Sequence, residues 1–137
     1  MRSLTQEYTW QLLSEGIALA RQRQLPPMAL VILDARGVIK AAFSEDGVGT
    51  LRPAIAQGKA NAALGMGFDT REFERLRQAG VLSDAFSSAL SCASYGQFNP
   101  NPGGVLLQNE GGVIGAVGAS GAAAADDEAL LRALLSH

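Results

Sequence analysis

A glycine-rich stretch near the C-terminus, residues 103–121, is the most informative part of this sequence. It reads GGVLLQNEGGVIGAVGASG. Branched apolar residues flank Gly111-Gly112 and predict two strands joined by a tight turn, because glycine reaches the positive φ angles of primed hairpin turns without steric cost. Glycine recurs at three later positions, Gly115, Gly118 and Gly121. Repeated glycine costs conformational entropy, so we expect a packed helix, a second subunit or a ligand to lie against the bare main chain.

The length and charge of the chain limit the classes of protein to which it can belong. Its 137 residues fit one domain, predicted to span 1–137. The net charge is -2, and Lys40 and Lys59 are the only lysines, which argues against a nucleic-acid partner. Charged residues make up 18% of the chain, a low fraction that favours a homo-oligomer with hidden surface.

Cysteine usage and the start of the chain indicate a cytoplasmic protein. Cys92 is the only cysteine, so neither an intrachain disulfide nor a thiolate metal cluster is expected. The N-terminus enters an amphipathic pattern directly, without the apolar core of a signal peptide. No apolar run is long enough to cross a bilayer, so we expect no membrane partner.

Hydrophobic spacing and proline and glycine positions predict the order helix, hairpin, helices, hairpin, helix. The first helix is expected from Leu4 to about Gln24, capped by Ser3. A continuous apolar strand from Met28 to Asp34 is predicted to pair with Val38–Phe43. The remaining helices are predicted at Leu51–Leu64, from Asp69 or Thr70 to Gln78, from Ser83 to about Tyr95, and from about Ala124 to Ser136.

Several short motifs, in this order and spacing, resemble those of the haem-binding GlcG/HbpS-like family, which is also met as the C-terminal domain of some corrinoid adenosyltransferases. They are VILDARG at the end of the first strand, the helix GKANAA, PGG before the late hairpin, and GGVIGAVGASG followed by DDE. The resemblance implies an α/β (α+β) domain with a central antiparallel sheet of about four to five strands flanked by helices, profilin-like or PAS-like. It also implies frequent oligomers, haem binding in several members and a setting in small-acid or aromatic catabolism.

Haem binding in this chain would need an unusual iron ligand. The only histidine is His137, the last residue, which we expect to be frayed. Haem iron takes an axial histidine, thiolate, tyrosinate or thioether. The formal alternatives are Tyr8, Tyr95, Met28, Met66 and Cys92. We therefore predict no cofactor, with weakly bound haem as the alternative.

Lys59 lies in an alanine-rich helix and matches the KA motif of the family. It could neutralise a ligand carboxylate, or act as a base with Asp127 if burial lowers its pKa. The structural interpretation is that its stem packs along the helix while the ammonium pairs with an acid or a carbonyl. The acids Asp126 and Asp127 point about 100° apart on a helix and suit its first turn better than a shared catalytic site.

The predicted ligand site lies between the late hairpin, the Lys59 helix and the loop FNPNPGG. A glycine-rich bend, Gly118-Ala119-Ser120-Gly121, is expected to lead into the last helix and present backbone amides. The loop offers hydrogen-bonding amides and a flat aromatic wall. The candidate binding residues are Tyr95, Asn99, Gly103, Gly104, Gly118, Ser120 and Gly121. The structural alternatives are close packing at the glycines and a proline-stiffened connection.

Three functions are compatible with these residues. The first is a small-molecule-binding or accessory protein whose ligand is a small organic acid or an aromatic catabolite. The second is a cofactor-independent isomerase, hydratase or lyase that uses Lys59 with an acid such as Asp127. The third is a haem carrier with a non-histidine ligand. A Ser–His or Cys–His nucleophile is excluded because no internal histidine exists.

Overall fold

The computed structural model describes residues 3–136, and His137, for which a frayed end was predicted, lies outside them. Five helices and four strands follow the predicted order. They are α1 (Gln6–Gln22), β1 (Ala29–Asp34), β2 (Ile39–Ser44), α2 (Arg52–Met66), α3 (Thr70–Gln78), α4 (Asp84–Ala93), β3 (Gly104–Asn109), β4 (Gly112–Ser120) and α5 (Ala124–Leu135). Within the described part of the chain, no helix has both the length and the apolar character needed to span a membrane.

The strands form one antiparallel sheet in the order β2-β1-β4-β3. The early hairpin β1–β2 and the late hairpin β3–β4 join along β1 and β4, from the pair Ala29–Ser120 to the pair Asp34–Gly115. The predicted fold class, a central antiparallel sheet flanked by helices, is confirmed. The two central strands are the most apolar because helices cover both of their faces.

Helices pack on both faces of the sheet. Along β1, Leu30 and Ile32 point toward the core shared with α1 and α5. The alternate residues Ala29, Val31 and Leu33 point toward α2, as the two-residue period of a strand requires. Helices α3 and α4 pack beside α2 around a smaller apolar cluster, Ala62, Phe73 and Phe98.

Helix α2 approaches the sheet closely because small residues face each other across the contact. Ala56 and Ala60 are fully buried. A Cβ atom on Gly118 would collide with the Ala56 carbonyl, and one on Gly104 would collide with the Lys59 carbonyl. Of the three explanations open for the repeated glycines, close helix packing applies at these two positions. A helix of the same chain therefore covers these two glycines, and a homo-oligomer through other surfaces stays a prediction.

Three local predictions need correction. The segment Gly118-Ala119-Ser120 is not a bend but the end of β4, because β1 continues to pair with β4 as far as Ser120. The late turn lies at Glu110-Gly111, one residue earlier than predicted, because Asn109 pairs with Gly112. Thr5, not Ser3, caps α1, since its hydroxyl accepts the Tyr8 N–H at 3.1 Å.

Candidate functional site

A buried ion pair joins α2 to the first turns of α5. Lys59 Nζ donates to Asp127 Oδ2 and to the Ala119 carbonyl oxygen, each at 3.0 Å. Asp127 Oδ1 accepts the Ala122 N–H at 2.9 Å. Only 2% of Lys59 and 0% of Asp127 is exposed. The two residues predicted as a catalytic pair thus lie side by side, and protein groups satisfy both of them.

Burial dominates the electrostatics of this pair. It lowers the pKa of Lys59 from the ordinary 10.5, while the Asp127 carboxylate acts in the opposite direction. Gly103 closes the cluster, since a Cβ atom there would lie 2.9 Å from Lys59 Nζ. The structural interpretation of Lys59, an ammonium paired with an acid and a carbonyl, is confirmed. A substrate would reach the amine only after the surrounding main chain moved, and the catalytic role stays a prediction.

The predicted binding residues of the late hairpin are used in packing. Ser120 is fully buried, and its hydroxyl accepts from Arg52 Nη1 at 3.2 Å. Gly121 lies against the main chain of Pro27 and Met28, where a Cβ atom would collide. Ser120 and Gly121, like the two glycines under α2, therefore serve contacts within the protein, to Arg52 and to the segment before β1.

The loop FNPNPGG is fastened to α2. The Asn99 N–H donates to the Gly58 carbonyl oxygen at 3.1 Å, and Asn99 Oδ1 accepts from the backbone and side-chain nitrogens of Asn101 at 3.1 and 3.0 Å. Tyr95, at the end of α4, is 94% exposed. The structure therefore brings Gly103 and Gly104 to Lys59 but leaves the Tyr95 side chain in solvent. A binding role for Tyr95 and Asn99 stays a prediction.

A pocket of about 390 Å³ opens between α2, α4 and the start of this loop. We call it the α2–α4 pocket, and it is lined by Asn61, Gly65, Met66, Leu90, Ala93, Ser94, Gln97 and Phe98. None of these residues carries a charge. Phe98 is 8% exposed and packs edge-on against Phe73, with ring centroids 5.4 Å apart. The volume and the mostly apolar wall of the α2–α4 pocket are within the range of sites that bind small organic molecules.

A larger groove of about 830 Å³ runs between α1, the β3–β4 turn and the end of α5. We call it the α1–α5 groove, and it is lined by Tyr8, Gln11, Leu12, Glu15, Ala18, Leu19, Gln22, Gln108, Asn109, Glu110, Leu134 and Leu135. Its rim is polar, and Glu15 and Glu110 give it negative charge. No basic residue belongs to this lining among residues 3–136.

The five formal haem ligands lie in different places. Met28 is fully buried in the core. Tyr8 lines the α1–α5 groove, and Met66 lines the α2–α4 pocket. Cys92 and Tyr95 are exposed on or near α4. Over the described ranges, no three His, Cys, Asp or Glu side chains form a group that could hold a metal ion.

These residues fit a haem only in part. A tyrosine or a methionine can serve as an axial ligand. The two propionates are anions that basic side chains hold best, and the described lining of the α1–α5 groove offers neutral amides and two carboxylates but no basic side chain. A haem held there would meet like charge, so its binding would be weak.

Sequence reasoning found part of the α2–α4 pocket and missed the rest. Phe98 belongs to the aromatic wall predicted for the loop, and the sequence predicts for Met66 only a formal role as an iron ligand. Leu90 and Ala93 lie in the helix predicted from Ser83 to about Tyr95, to which no ligand contact is assigned from the sequence. The pocket arises from the packing of α4 beside the end of α2, and no spacing within either segment indicates that contact.

Comparison with known proteins identifies relatives over almost the whole chain. Residues 4–136 match the model of a family described as "Haem degrading protein HbpS-like". Comparison with the curated proteins gives no match.

Solved structures share the fold at low sequence identity. A PduOC–haem complex has a TM-score of 0.85 at 24% identity, over 98% of this chain and 94% of that one. Protein ORFY from Klebsiella pneumoniae, assigned to DUF336, has a TM-score of 0.84 at 21% identity, over 98% and 90%. A double mutant of HbpS from Streptomyces reticuli has a TM-score of 0.77 at 22% identity, over 100% and 90%. At these identities the similarity establishes the fold alone.

Proposed function

This chain belongs to the HbpS-like family, and we propose that it is a small-molecule-binding accessory protein whose ligand lies in the α2–α4 pocket. The single observation that carries the proposal is the uncharged, mostly apolar lining of that pocket beside the loop FNPNPGG. As predicted from the sequence, the proposed ligand site lies between the helix that carries Lys59 and this loop. The late hairpin no longer takes part, because α2 lies directly on it.

The lining narrows the ligand to a neutral aromatic or apolar molecule. Phe98 and Leu90 supply flat and branched apolar surface, and Met66 is a flexible thioether that adapts to ring edges. An organic acid would bring a charge into a pocket without a basic partner, which is unfavourable. The amides of Asn61 and Gln97, 3.5 Å apart, leave hydrogen-bonding capacity at the rim. Of the two ligand classes predicted from the sequence, the aromatic compound suits this chemistry better.

The test uses a matched pair of probes, toluene and benzoate, in NMR titrations of the full chain. We expect saturable shifts in residues of α2 and α4 with toluene and at least about tenfold weaker binding of benzoate, a difference of about 1.4 kcal/mol. Ala93→Trp should fill the pocket and abolish toluene binding. Ala89→Trp, on the same helix and outside the lining, should leave it intact. Toluene binding that survives Ala93→Trp would place the ligand elsewhere.

Weak haem binding is the second candidate, because the family model describes a haem-degrading protein and Tyr8 stands in a groove of sufficient size. Haem bound through iron would supply redox chemistry, and this chain would contribute one oxygen or sulfur ligand. Titration with hemin should give a shifted Soret band that apomyoglobin removes. Tyr8→Phe should eliminate the shift if the phenol is the ligand, whereas an unchanged spectrum would exclude Tyr8.

The enzymatic alternative, an isomerase, hydratase or lyase using Lys59 with Asp127, has weaker support. The pair is assembled, but only 2% of Lys59 is exposed. We assign the pair to holding α2 and α5 together. Turnover of an aromatic or small-acid intermediate that disappears in Lys59→Arg, with the fold retained, would reverse that assignment.

Three parts of the proposal rest on the family resemblance and on composition. They are a homo-oligomeric state, a setting in small-acid or aromatic catabolism, and a cytoplasmic location. The low charged fraction of 18% supports the first of them. A growth defect on one aromatic or small-acid carbon source after deletion of the gene would support the second.

A further inference from the structure

The two edges of the sheet differ in how their backbone groups are used. On the β3 edge, Thr70 Oγ1 accepts the Gly104 N–H at 2.9 Å and donates to the Gly104 carbonyl at 3.2 Å. Asp69 Oδ1 accepts the Leu106 N–H at 2.8 Å. The start of α3 therefore caps this edge, and residues 104–107 are buried. Another strand therefore cannot pair with the capped part of β3, around Gly104 and Leu106.

The β2 edge is open and carries apolar side chains. Five of the six residues in β2 are exposed. Ile39 and Phe43 are 48% and 46% exposed, and Val38, just before the strand, is 49% exposed. Unpaired edge strands with apolar side chains are templates for pairing with another chain unless they are guarded. Two features of β2 oppose such pairing: the charge of Lys40 and the register shift beside it. The second half of the strand, from Ala41 to Ser44, keeps a regular register with β1.

The hydrogen-bond pattern fixes which groups are available. The Glu45 N–H donates to the Met28 carbonyl at 3.0 Å, so in this antiparallel ladder Phe43 and Ala41 also bond to β1. The N–H and C=O groups of Ala42 and Ser44 consequently point away from β1. A second strand can bond only to these outward groups.

We propose that β2 pairs antiparallel with β2 of a second copy of this chain, with Phe43 on the two-fold axis. This proposal deepens, and rests on, the homo-oligomeric state proposed above. Pairing of Ala42 with Ser44 of the second copy joins outward groups on both strands. Phe43 then faces its own symmetry mate in a non-hydrogen-bonded pair, the arrangement with the closest side chains. Such an interface is self-complementary, as a two-fold dimer requires.

Charge complementarity selects this register among those that the backbone allows. It brings exposed Lys40 opposite exposed Asp46 of the second copy, twice per dimer. Shifting the centre to Ala42 places Lys40 opposite Ser44 and loses both ion pairs. Lys40 would disfavour pairing of β2 with an unrelated strand. In this dimer it meets an opposite charge, so it favours the register centred on Phe43.

The test is the mass of the full chain by sedimentation equilibrium across a concentration series. We expect the wild type to be a dimer or a multiple of one. Phe43→Glu should raise the dissociation constant of the β2 contact at least about tenfold, through like charges on the axis. Val81→Glu is the matched control, because Val81 is also an exposed apolar residue (66%) and lies outside the sheet. Thermal unfolding followed by circular dichroism checks that each variant is folded.

Charge reversal tests the register itself. Lys40→Asp and Asp46→Lys should each weaken the dimer, and the double variant should restore it. A monomeric wild type would overturn both this interface and the homo-oligomeric state. A stable oligomer that Phe43→Glu and both charge reversals leave unchanged would overturn the β2 interface and leave the oligomeric state standing.

Discussion

Lys59 Nζ lies 3.0 Å from Asp127 Oδ2, although the helices that carry these residues pack on opposite faces of the sheet. The ion pair passes the end of β4, where the ammonium also bonds to the Ala119 carbonyl. It therefore connects three layers at one point. Buried pairs of this kind are costly to desolvate, and their clearest effect appears when one partner is removed.

Lys59→Met should destabilise the protein by about 3–5 kcal/mol, because it leaves the Asp127 carboxylate buried without its cation. The double variant Lys59→Met, Asp127→Leu should be less destabilised than this single variant, since no isolated charge remains. Urea denaturation of all three proteins measures the difference. Equal stability of Lys59→Met and the wild type would show that the pair does not hold α2 to α5.

Gly118→Ala should destabilise the protein by about 3 kcal/mol or more, because the added Cβ atom collides with the Ala56 carbonyl of α2. The matched control is Gly65→Ala. Gly65 lies within α2, and a Cβ atom there would meet nothing within 4 Å. Gly65→Ala should stabilise the helix by up to about 1 kcal/mol. Thermal denaturation should therefore shift in opposite directions for these two variants, and similar shifts would contradict the packing argument.

Glu128→Gln should reduce stability at neutral pH but not in acid. Burial raises the pKa of Glu128, but the hydrogen bond from Arg71 and the charges of Arg71 and Arg132 outweigh it, so this pKa lies below the ordinary 4.5. A carboxyl with a depressed pKa stabilises the folded state above its unfolded pKa, and this contribution is lost as pH falls through the folded pKa. We expect a cost of about 1 kcal/mol at pH 7.

Urea denaturation of wild type and Glu128→Gln at neutral pH and at about pH 3 measures this change. Glu15→Gln, at an exposed position in the middle of α1, is the control and should have little effect at either pH. A difference between wild type and Glu128→Gln that stays constant down to low pH would rule out a contribution from the charge.

Thr70→Val should cost about 1–3 kcal/mol, because it keeps the side-chain shape but leaves the buried Gly104 N–H and C=O without their hydroxyl partner. Thr50→Val, at an exposed position, is the control. Hydrogen exchange at Gly104 should also become faster in Thr70→Val. Unchanged protection of that amide would indicate that the β3 edge is held by other contacts.

The sequence by itself determined the elements and their order. Continuous apolar runs predicted the central strands, and three- and four-residue spacings predicted α1 and α5, because these patterns reflect which side of each element is buried. The glycines correctly indicated that something lies on bare main chain. Local signals failed at Gly118-Ala119-Ser120, where pairing with β1 outweighs the low strand propensity of small residues.

Tertiary structure alone decided which side chains meet. Lys59 and Asp127 are 68 residues apart in the sequence. Their opposite charges suggest a pair, but nothing in the sequence shows that the two side chains are close in space. The α2–α4 pocket, the capped β3 edge and the open β2 edge depend on how separate elements pack, which no window of sequence encodes. Burial, partner and exposure are properties of contacts between distant segments, so the same lysine that reads as a catalytic base in sequence lies sealed within the folded core.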